Sequence, residues 1–117
     1  MKKIAFLTSS RADFGIYLPL IDKLREEVDI YTTGIIFGSH TMDGENKTID
    51  DIEQNVFNKS YFIEHFMDGD TRKNTVKTMT SSQLEICKIL EIDQFDYVFA
   101  LGDRFEMFAA VSACVPY

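Results

Sequence analysis

Short apolar segments alternate with longer segments of helical periodicity along the whole chain, and this alternation limits the fold more than any other feature. The first apolar segment, residues 4–7, has no polar interruption, which is typical of a strand covered on both faces. Further strands are predicted over residues 28–33, continuing through 34–38 into a loop, and over 61–63 and 97–100. Strands separated by helices predict a parallel sheet with right-handed crossovers, and so a three-layer, Rossmann-like α/β fold.

Apolar spacing predicts four helices: the first has one apolar face from Ile16 up to Glu27, and the others span residues 48–54, 71–90 and 104–113. Pro19 either marks the first turn of the first helix or kinks it. Asp70 or Thr71 is the predicted cap of the long third helix. The side chains expected to face the core are Ile16, Leu20, Ile21, Leu24, Val76, Met79, Ile86, Leu90, Phe105, Phe108 and Ala109.

Composition indicates a single soluble globular domain spanning residues 1–117. Hydrophobic residues make up 45% of the chain, and the net charge of −7 disfavours a nucleic-acid surface. No segment is long and apolar enough to span a membrane, and no signal peptide is recognisable, so a cytoplasmic location is expected. Cys87 and Cys114 have no metal or redox spacing. The glycine triplet of dinucleotide-binding proteins and the phosphate-loop lysine motif are both missing, so no cofactor is predicted. Asp68-Gly69-Asp70 has too few further oxygen ligands at fixed offsets for a calcium loop, so no metal is predicted.

Two polar corners follow predicted strands, at residues 8–13 and 102–106. In the doubly wound order the fourth strand pairs with the free side of the first, so both corners flank one crevice at the carboxyl ends of the strands. Each corner offers a helix N-terminus and an arginine, Arg11 or Arg104, which suits a phosphate or pyrophosphate. Ser9 or Ser10 is the predicted cap of the first helix, with Asp13 in its first turn.

A structural role explains part of the second corner. Asp103 and Glu106 fit a helix-capping pair. That role leaves Arg104 unexplained, because the helix dipole disfavours a cation in the first turn. Arg11 also fits a solvated loop residue, and His40, in the loop after the second strand, is a residue type that is solvated there more often than functional.

Three segments in order resemble the motifs of the hydrolysing UDP-N-acetylglucosamine 2-epimerases. They are Thr8-Ser9-Ser10-Arg11-Ala12-Asp13-Phe14-Gly15, then Gly38-Ser39-His40 with Thr48 and Ile52-Glu53-Gln54, and finally Leu101-Gly102-Asp103-Arg104-Phe105-Glu106. The non-hydrolysing 2-epimerases share the fold but open with glycine-threonine-arginine-proline-glutamate, which this chain lacks.

This resemblance implies the N-terminal half of a glycosyltransferase-B-like fold and conversion of UDP-N-acetylglucosamine to N-acetylmannosamine and UDP, for sialic or nonulosonic acid synthesis. By motif position, Asp103 resembles a catalytic carboxylate, and Arg11 and Arg104 resemble substrate-side cations. His40 matches a histidine of the site, and Gly15 a nucleotide contact. The implied partner is a UDP-sugar in a protein that forms homo-oligomers.

The family continues beyond residue 117 into a histidine-glycine-glycine-glutamate motif and a C-terminal domain that supplies most of the UDP pocket. The resemblance therefore implies that the chain is an N-terminal domain alone, inactive by itself and prone to self-association. Two alternatives stay open: an epimerase acting on a diacetamido UDP- or GDP-sugar, and a non-catalytic α/β binding module.

Overall fold

A computed structural model describes residues 1–38, 56–64, 71–102 and 104–117, and each structural statement below concerns these residues. They form strands β1 (Lys2–Thr8), β2 (Ile30–Ile36), β3 (Lys59–Phe62) and β4 (Tyr97–Phe99), and helices α1 (Arg11–Arg25), α2 (Arg72–Ile92) and α3 (Phe105–Cys114). The predicted helix over 48–54 lies outside the described residues. No described helix has the length and apolarity to cross a bilayer.

The four strands form one parallel sheet in the order β3-β2-β1-β4. Ile4 on β1 pairs with Thr32 on β2 at one side and with Tyr97 on β4 at the other. The predicted placement of the fourth strand beside the first is confirmed. Because all strands run the same way, the turns after β1 and β4 lie at the same edge of the sheet.

Alternate side chains of β1 enter two separate cores, which makes the fold three-layered as predicted. Ile4 and Phe6 face α1, and the ring of Phe6 meets the edge of Tyr17 with ring centroids 5.2 Å apart. Ala5 and Leu7 face the opposite layer, formed by α2 and α3. The side chains that complete this second core are Ile35, Phe37, Ile63, Ile86, Ile89, Leu90, Met107 and Ala110.

The face that α1 buries differs from the predicted one. Ile21 is buried as predicted and Phe14 and Tyr17 are buried with it, whereas Ile16 and Leu20, both predicted to face the core, are exposed. The helix begins at Arg11 with Ser10 as its N-cap, as predicted, but its apolar stripe starts at Phe14 rather than at Ile16 and keeps the 3–4 spacing from there. Pro19 lies inside the helix, so it does not mark the first turn.

Two other predicted core residues point to solvent, since Val76 on α2 and Phe108 on α3 are 60% and 67% exposed. Polar residues hold part of the inward face instead, namely Thr78 and Ser82 on α2 and Glu106 on α3. A search for apolar residues at helical spacing does not detect a helix face that is buried but polar. Ile86, Leu90 and Ala109 are buried as predicted, and Thr71 is the cap of α2.

Strand β4 is an edge strand of the described sheet, although its apolar sequence predicts a buried one. Tyr97, Val98 and Phe99 are all exposed. The cause is the pairing, because β4 has a neighbour on one side, β1.

At the other end of the sheet, where the strands begin, the buried carboxylate of Asp93 binds three side chains. Asp93 follows α2, and its carboxylate accepts hydrogen bonds from Lys3 and from the Tyr61 hydroxyl, the latter at 3.0 Å, with the Lys59 ammonium 3.7 Å away. Burial by itself raises the pKa of Asp93, but these hydrogen bonds and the two lysine charges outweigh it, so the pKa is lowered. This cluster lies at the amino ends of the strands, away from the predicted site.

Candidate functional site

A cavity of about 280 Å³ opens where β1 and β4 end. Its wall is formed by residues of both polar corners: Ser9, Ser10, Ala12, Asp13, Ile16, Leu101, Gly102, Arg104 and Met107. The structure thus joins the two corners across neighbouring strands, as the predicted strand order requires. Ligands of open α/β sheets bind at this position, outside the carboxyl ends of the strands.

The corner after β1 is held by the buried carboxylate of Asp13. Ser10 is the N-cap of α1, and its hydroxyl accepts from the Asp13 backbone N–H, which forms a capping box. In return, one oxygen of Asp13 accepts from the backbone N–H of Ser9 at 3.1 Å and of Ser10 at 3.2 Å. Both serine hydroxyls also donate to that oxygen, and the Thr8 hydroxyl donates to the other one. The turn is therefore closed around a negative charge supplied by the chain itself.

This arrangement changes what the start of α1 can offer a ligand. The backbone N–H groups of Ser9 and Ser10 are donors that a phosphate could use at a helix N-terminus. Both are directed at Asp13 instead. Asp13 is itself one of the residues that line the cavity, so its negative charge makes this side of the cavity unfavourable for a second anion.

Gly38, just after β2, supports the same corner and was missed as a structural requirement in the sequence. Its φ of +63° lies in the left-handed region that favours glycine. The backbone N–H of the preceding residue, Phe37, donates to the carbonyl of Thr8 at 3.0 Å. The signal was present, since a glycine directly after a strand marks a turn or a close approach of two backbones.

The corner after β4 presents a cation to the cavity. Gly102 has a φ of +104° and lets the chain turn from β4 toward α3. Arg104, not Asp103, is the N-cap of α3, and its side chain makes no capping hydrogen bond. Instead, its guanidinium donates from Nε to Glu106 Oε2 at 3.0 Å and from Nη2 to Oε1 at 3.1 Å. With the cap at position 104, Glu106 is the second residue of the helix rather than the third, so the predicted capping pair with position 103 does not fit this helix start, and Glu106 is the partner of Arg104.

The remaining predicted site residues are placed as follows. Arg11 is the first residue of α1 and is exposed; Gly15 is exposed one turn later, and neither is among the described residues that line the cavity. A Cβ atom added at Gly15 would meet nothing within 4 Å, so packing does not demand glycine there. Asp103 and His40 lie outside the described residues.

Three curated relatives match nearly the whole chain. The polysialic acid biosynthesis protein P7 of Escherichia coli is 30% identical over 113 residues, which are 97% of this chain and 29% of that protein. The UDP-N,N'-diacetylbacillosamine 2-epimerase (hydrolyzing) of Legionella pneumophila is 26% identical over 115 residues, or 98% of this chain and 30% of that protein. The UDP-N-acetylglucosamine 2-epimerase of Neisseria meningitidis serogroup B is 26% identical over 116 residues, or 96% of this chain and 29% of that protein. The chain spans less than a third of the length of each.

Solved structures agree on the fold, while no protein-family model matches the sequence. A crystal structure of a UDP-N-acetylglucosamine 2-epimerase superposes with a TM-score of 0.76 at 15% identity, over 98% of this chain and 30% of that one. The Neisseria meningitidis UDP-GlcNAc 2-epimerase bound to UDP-GlcNAc gives 0.73 at 19% identity, over 97% of this chain and 29% of that one.

The parallel sheet, its crossovers and the cavity at its carboxyl edge define a Rossmann-like α/β domain, equivalent to the N-terminal half of a glycosyltransferase-B-like protein. Within that class, the matches to known proteins run along nearly the whole chain. The chain is similar along nearly its whole length to UDP-N-acetylglucosamine 2-epimerases, and it matches about 30% of the length of these relatives.

Proposed function

We propose that this chain is the N-terminal domain of a hydrolysing UDP-N-acetylglucosamine 2-epimerase that acts in the cytoplasm on the route to sialic or nonulosonic acids. The observation that carries the proposal is the cavity between the β1–α1 and β4–α3 corners, with Arg104 in its wall. A guanidinium at the carboxyl edge of a parallel sheet suits the phosphates of a nucleotide sugar.

The proposed reaction begins with an elimination. A base removes the proton from C2 of the sugar while the bond between C1 and the UDP oxygen breaks, and UDP leaves with the bonding electrons. Water then adds its oxygen to C1 of the resulting glycal, and a proton is delivered to C2 on the other face, which gives N-acetylmannosamine. A carboxylate suits the proton transfers, and arginine suits the departing negative charge.

In this proposal Asp103 performs a proton transfer and Arg104 stabilises the leaving UDP. Arg11, Gly15 and His40 contact the substrate as well, as their positions in the family motifs imply. Arg11 and Gly15 lie on α1 beside the cavity rather than in its described wall, so they would contact a part of the substrate that extends past the helix. Residues beyond this domain complete the UDP pocket.

A turnover assay tests whether this domain needs the rest of a larger protein for catalysis. We expect the 117-residue chain to release no UDP from UDP-N-acetylglucosamine when the products are separated by ion-exchange chromatography. UDP release by the purified chain would contradict the proposal that it is one domain of a larger catalytic unit.

The role of Asp103 is tested in a longer protein that carries this domain together with a C-terminal domain. D103N should abolish turnover while leaving the thermal unfolding temperature close to the wild-type value. D22N, an equal change of charge at an exposed position on α1, is the matched control and should remain active. Wild-type turnover by D103N would exclude a proton-transfer role for this residue.

One observation favours a second candidate substrate, a diacetamido sugar nucleotide. The Legionella pneumophila relative acts, by its name, on UDP-N,N'-diacetylbacillosamine and matches 98% of this chain. Comparing kcat/KM of the longer protein for this sugar nucleotide, its GDP counterpart and UDP-N-acetylglucosamine decides among them. If none is turned over, and none perturbs the NMR signals of the cavity residues in the 117-residue chain, the domain is a binding module of another kind.

A further inference from the structure

The side chain of Glu106 is engaged with one cation in a two-point contact. Its carboxylate is 2% exposed, and each of its oxygens accepts one hydrogen bond from Arg104, at 3.0 and 3.1 Å. Two parallel hydrogen bonds fix the plane of a guanidinium as well as its distance, which a single contact does not do. Arg104 itself is half exposed and lines the cavity, so the pair connects the protein interior to the site.

Burying this ion pair costs free energy of folding, which favours a role for it other than stabilising the fold. A charged carboxylate in the interior loses its hydration, and a pair of this kind is weak support for folding when compared with apolar side chains of similar size. The arginine lies at the N-cap of α3, where the helix dipole disfavours a cation. Both unfavourable contributions to the free energy of folding arise at residues beside the cavity.

Glu106 contacts one particular edge of the Arg104 guanidinium. Glu106 takes the Nε–Nη2 edge of the guanidinium, which is one side of the fork. The end of the fork, formed by Nη1 and Nη2, is a different edge, and its two parallel N–H groups also suit a pair of phosphate oxygens. A carboxylate that holds the side edge therefore decides where the end edge points.

We propose that Glu106 is a positioning residue, which holds Arg104 so that its guanidinium faces a phosphate group in the cavity. The inference rests on the proposed UDP-sugar site for the identity of the ligand. The orientation of Arg104 is a property of the chain without ligand and can be measured separately.

The first measurement is NMR relaxation of the Arg104 Nε–H group in the 117-residue chain, comparing wild type with E106Q. Glutamine keeps the shape of the side chain but has one acceptor oxygen and no charge. We expect the order parameter of this group to fall in E106Q. E85Q is the matched control, since Glu85 pairs with Lys88 at 2.7 Å on the exposed surface of α2, and it should leave the Arg104 signal unchanged. An unchanged order parameter in E106Q would overturn the proposal.

The second measurement is binding, by NMR titration with UDP-N-acetylglucosamine and, separately, with inorganic pyrophosphate. E106Q should weaken both ligands by about tenfold, the effect of losing one charge-assisted hydrogen bond. R104K, which keeps the charge but not the fork, should weaken them similarly, and the double variant should be no weaker than R104K. Additive losses would indicate that Glu106 acts through the fold rather than through Arg104.

The outcomes separate the two proposals. Binding of pyrophosphate without binding of the sugar nucleotide contradicts the proposed function and retains the positioning role. Binding of neither by the wild type contradicts the claim that Arg104 faces a phosphate. If E106Q does not fold, E106D keeps the charge one methylene shorter, and it must lower the Arg104 order parameter for the proposal to stand.

Discussion

Gly38 packs so closely on Ser9 that a Cβ atom at position 38 would lie 2.8 Å from the Ser9 carbonyl oxygen and 3.0 Å from its Cβ. The end of β2 is thereby seated on the turn that forms one wall of the cavity. A side chain at this position would have to displace the turn, the strand end, or both.

We therefore expect G38A to be strongly destabilising for so small a change. The positive φ and the contact with Ser9 together should cost about 2–4 kcal/mol in the free energy of unfolding. Urea denaturation followed by circular dichroism measures this loss. A loss below about 0.5 kcal/mol would show that the strand end and the turn move apart easily.

Gly15 provides the opposite case, because its position in α1 has open space around it. G15A should raise the free energy of unfolding by about 0.5–1 kcal/mol, since alanine favours the helix. The same urea experiment tests this value. If Gly15 contacts the nucleotide as proposed, the variant should bind UDP-N-acetylglucosamine more weakly despite being more stable, and unchanged binding would exclude the contact.

Two tyrosines differ in whether their hydroxyl groups are satisfied. The buried Tyr17 hydroxyl has no hydrogen-bond partner among the described residues, whereas that of Tyr61 donates to Asp93 at 3.0 Å. Burial, with the nearby charge of Asp13, raises the pKa of Tyr17, so its hydroxyl stays neutral. Y17F should be neutral or stabilising by up to about 1 kcal/mol, and Y61F should cost about 1.5–3 kcal/mol, the worth of a hydrogen bond to a charged group. Thermal and urea unfolding of both variants test the contrast, and a larger loss in Y17F would contradict it.

The lowered pKa of Asp93 predicts a pH dependence of stability. A carboxylate whose pKa is lower in the folded chain contributes stability above its unfolded pKa of about 3.9, and this contribution is lost as the pH falls through the folded value. D93N should therefore be less stable than wild type at pH 7, and the difference should shrink as the pH falls below about 4. Unfolding midpoints measured from pH 7 down to pH 3 test this, with D22N as the control of equal charge. A difference independent of pH would contradict the ionic role.

The exposed edge strand predicts self-association of the chain. Tyr97, Val98 and Phe99 present apolar side chains and an edge to solvent, a combination that invites pairing with another strand. Sedimentation at increasing concentration should reveal dimers, which V98K should dissociate. V76K adds the same charge at an exposed position on α2 and should have no effect. A monomer at all concentrations would refute this prediction.

The sequence was sufficient for the order of the strands and for the meeting of the two corners, because the alternation of strands and helices leaves few topologies. It was insufficient to predict which faces of the helices are buried. Thr78, Ser82 and Glu106 are buried on α2 and α3, where an apolar pattern has no signal. The pairing of Arg104 with Glu106 was also missed. Ion pairs within a helix are expected three or four residues apart, and these residues are two apart at a helix start.

Asp13 has a consequence for the energetics of recognition. The turn after β1 is cross-linked to its own carboxylate before any ligand arrives, so little backbone freedom is left for a ligand to remove. A ligand that binds at this wall is therefore expected to pay a small entropic penalty, and repulsion by Asp13 is expected to contribute to its selectivity as well as attraction. If a nucleotide sugar binds here as proposed, its phosphates are expected to face the opposite wall, which carries Arg104, rather than the serines.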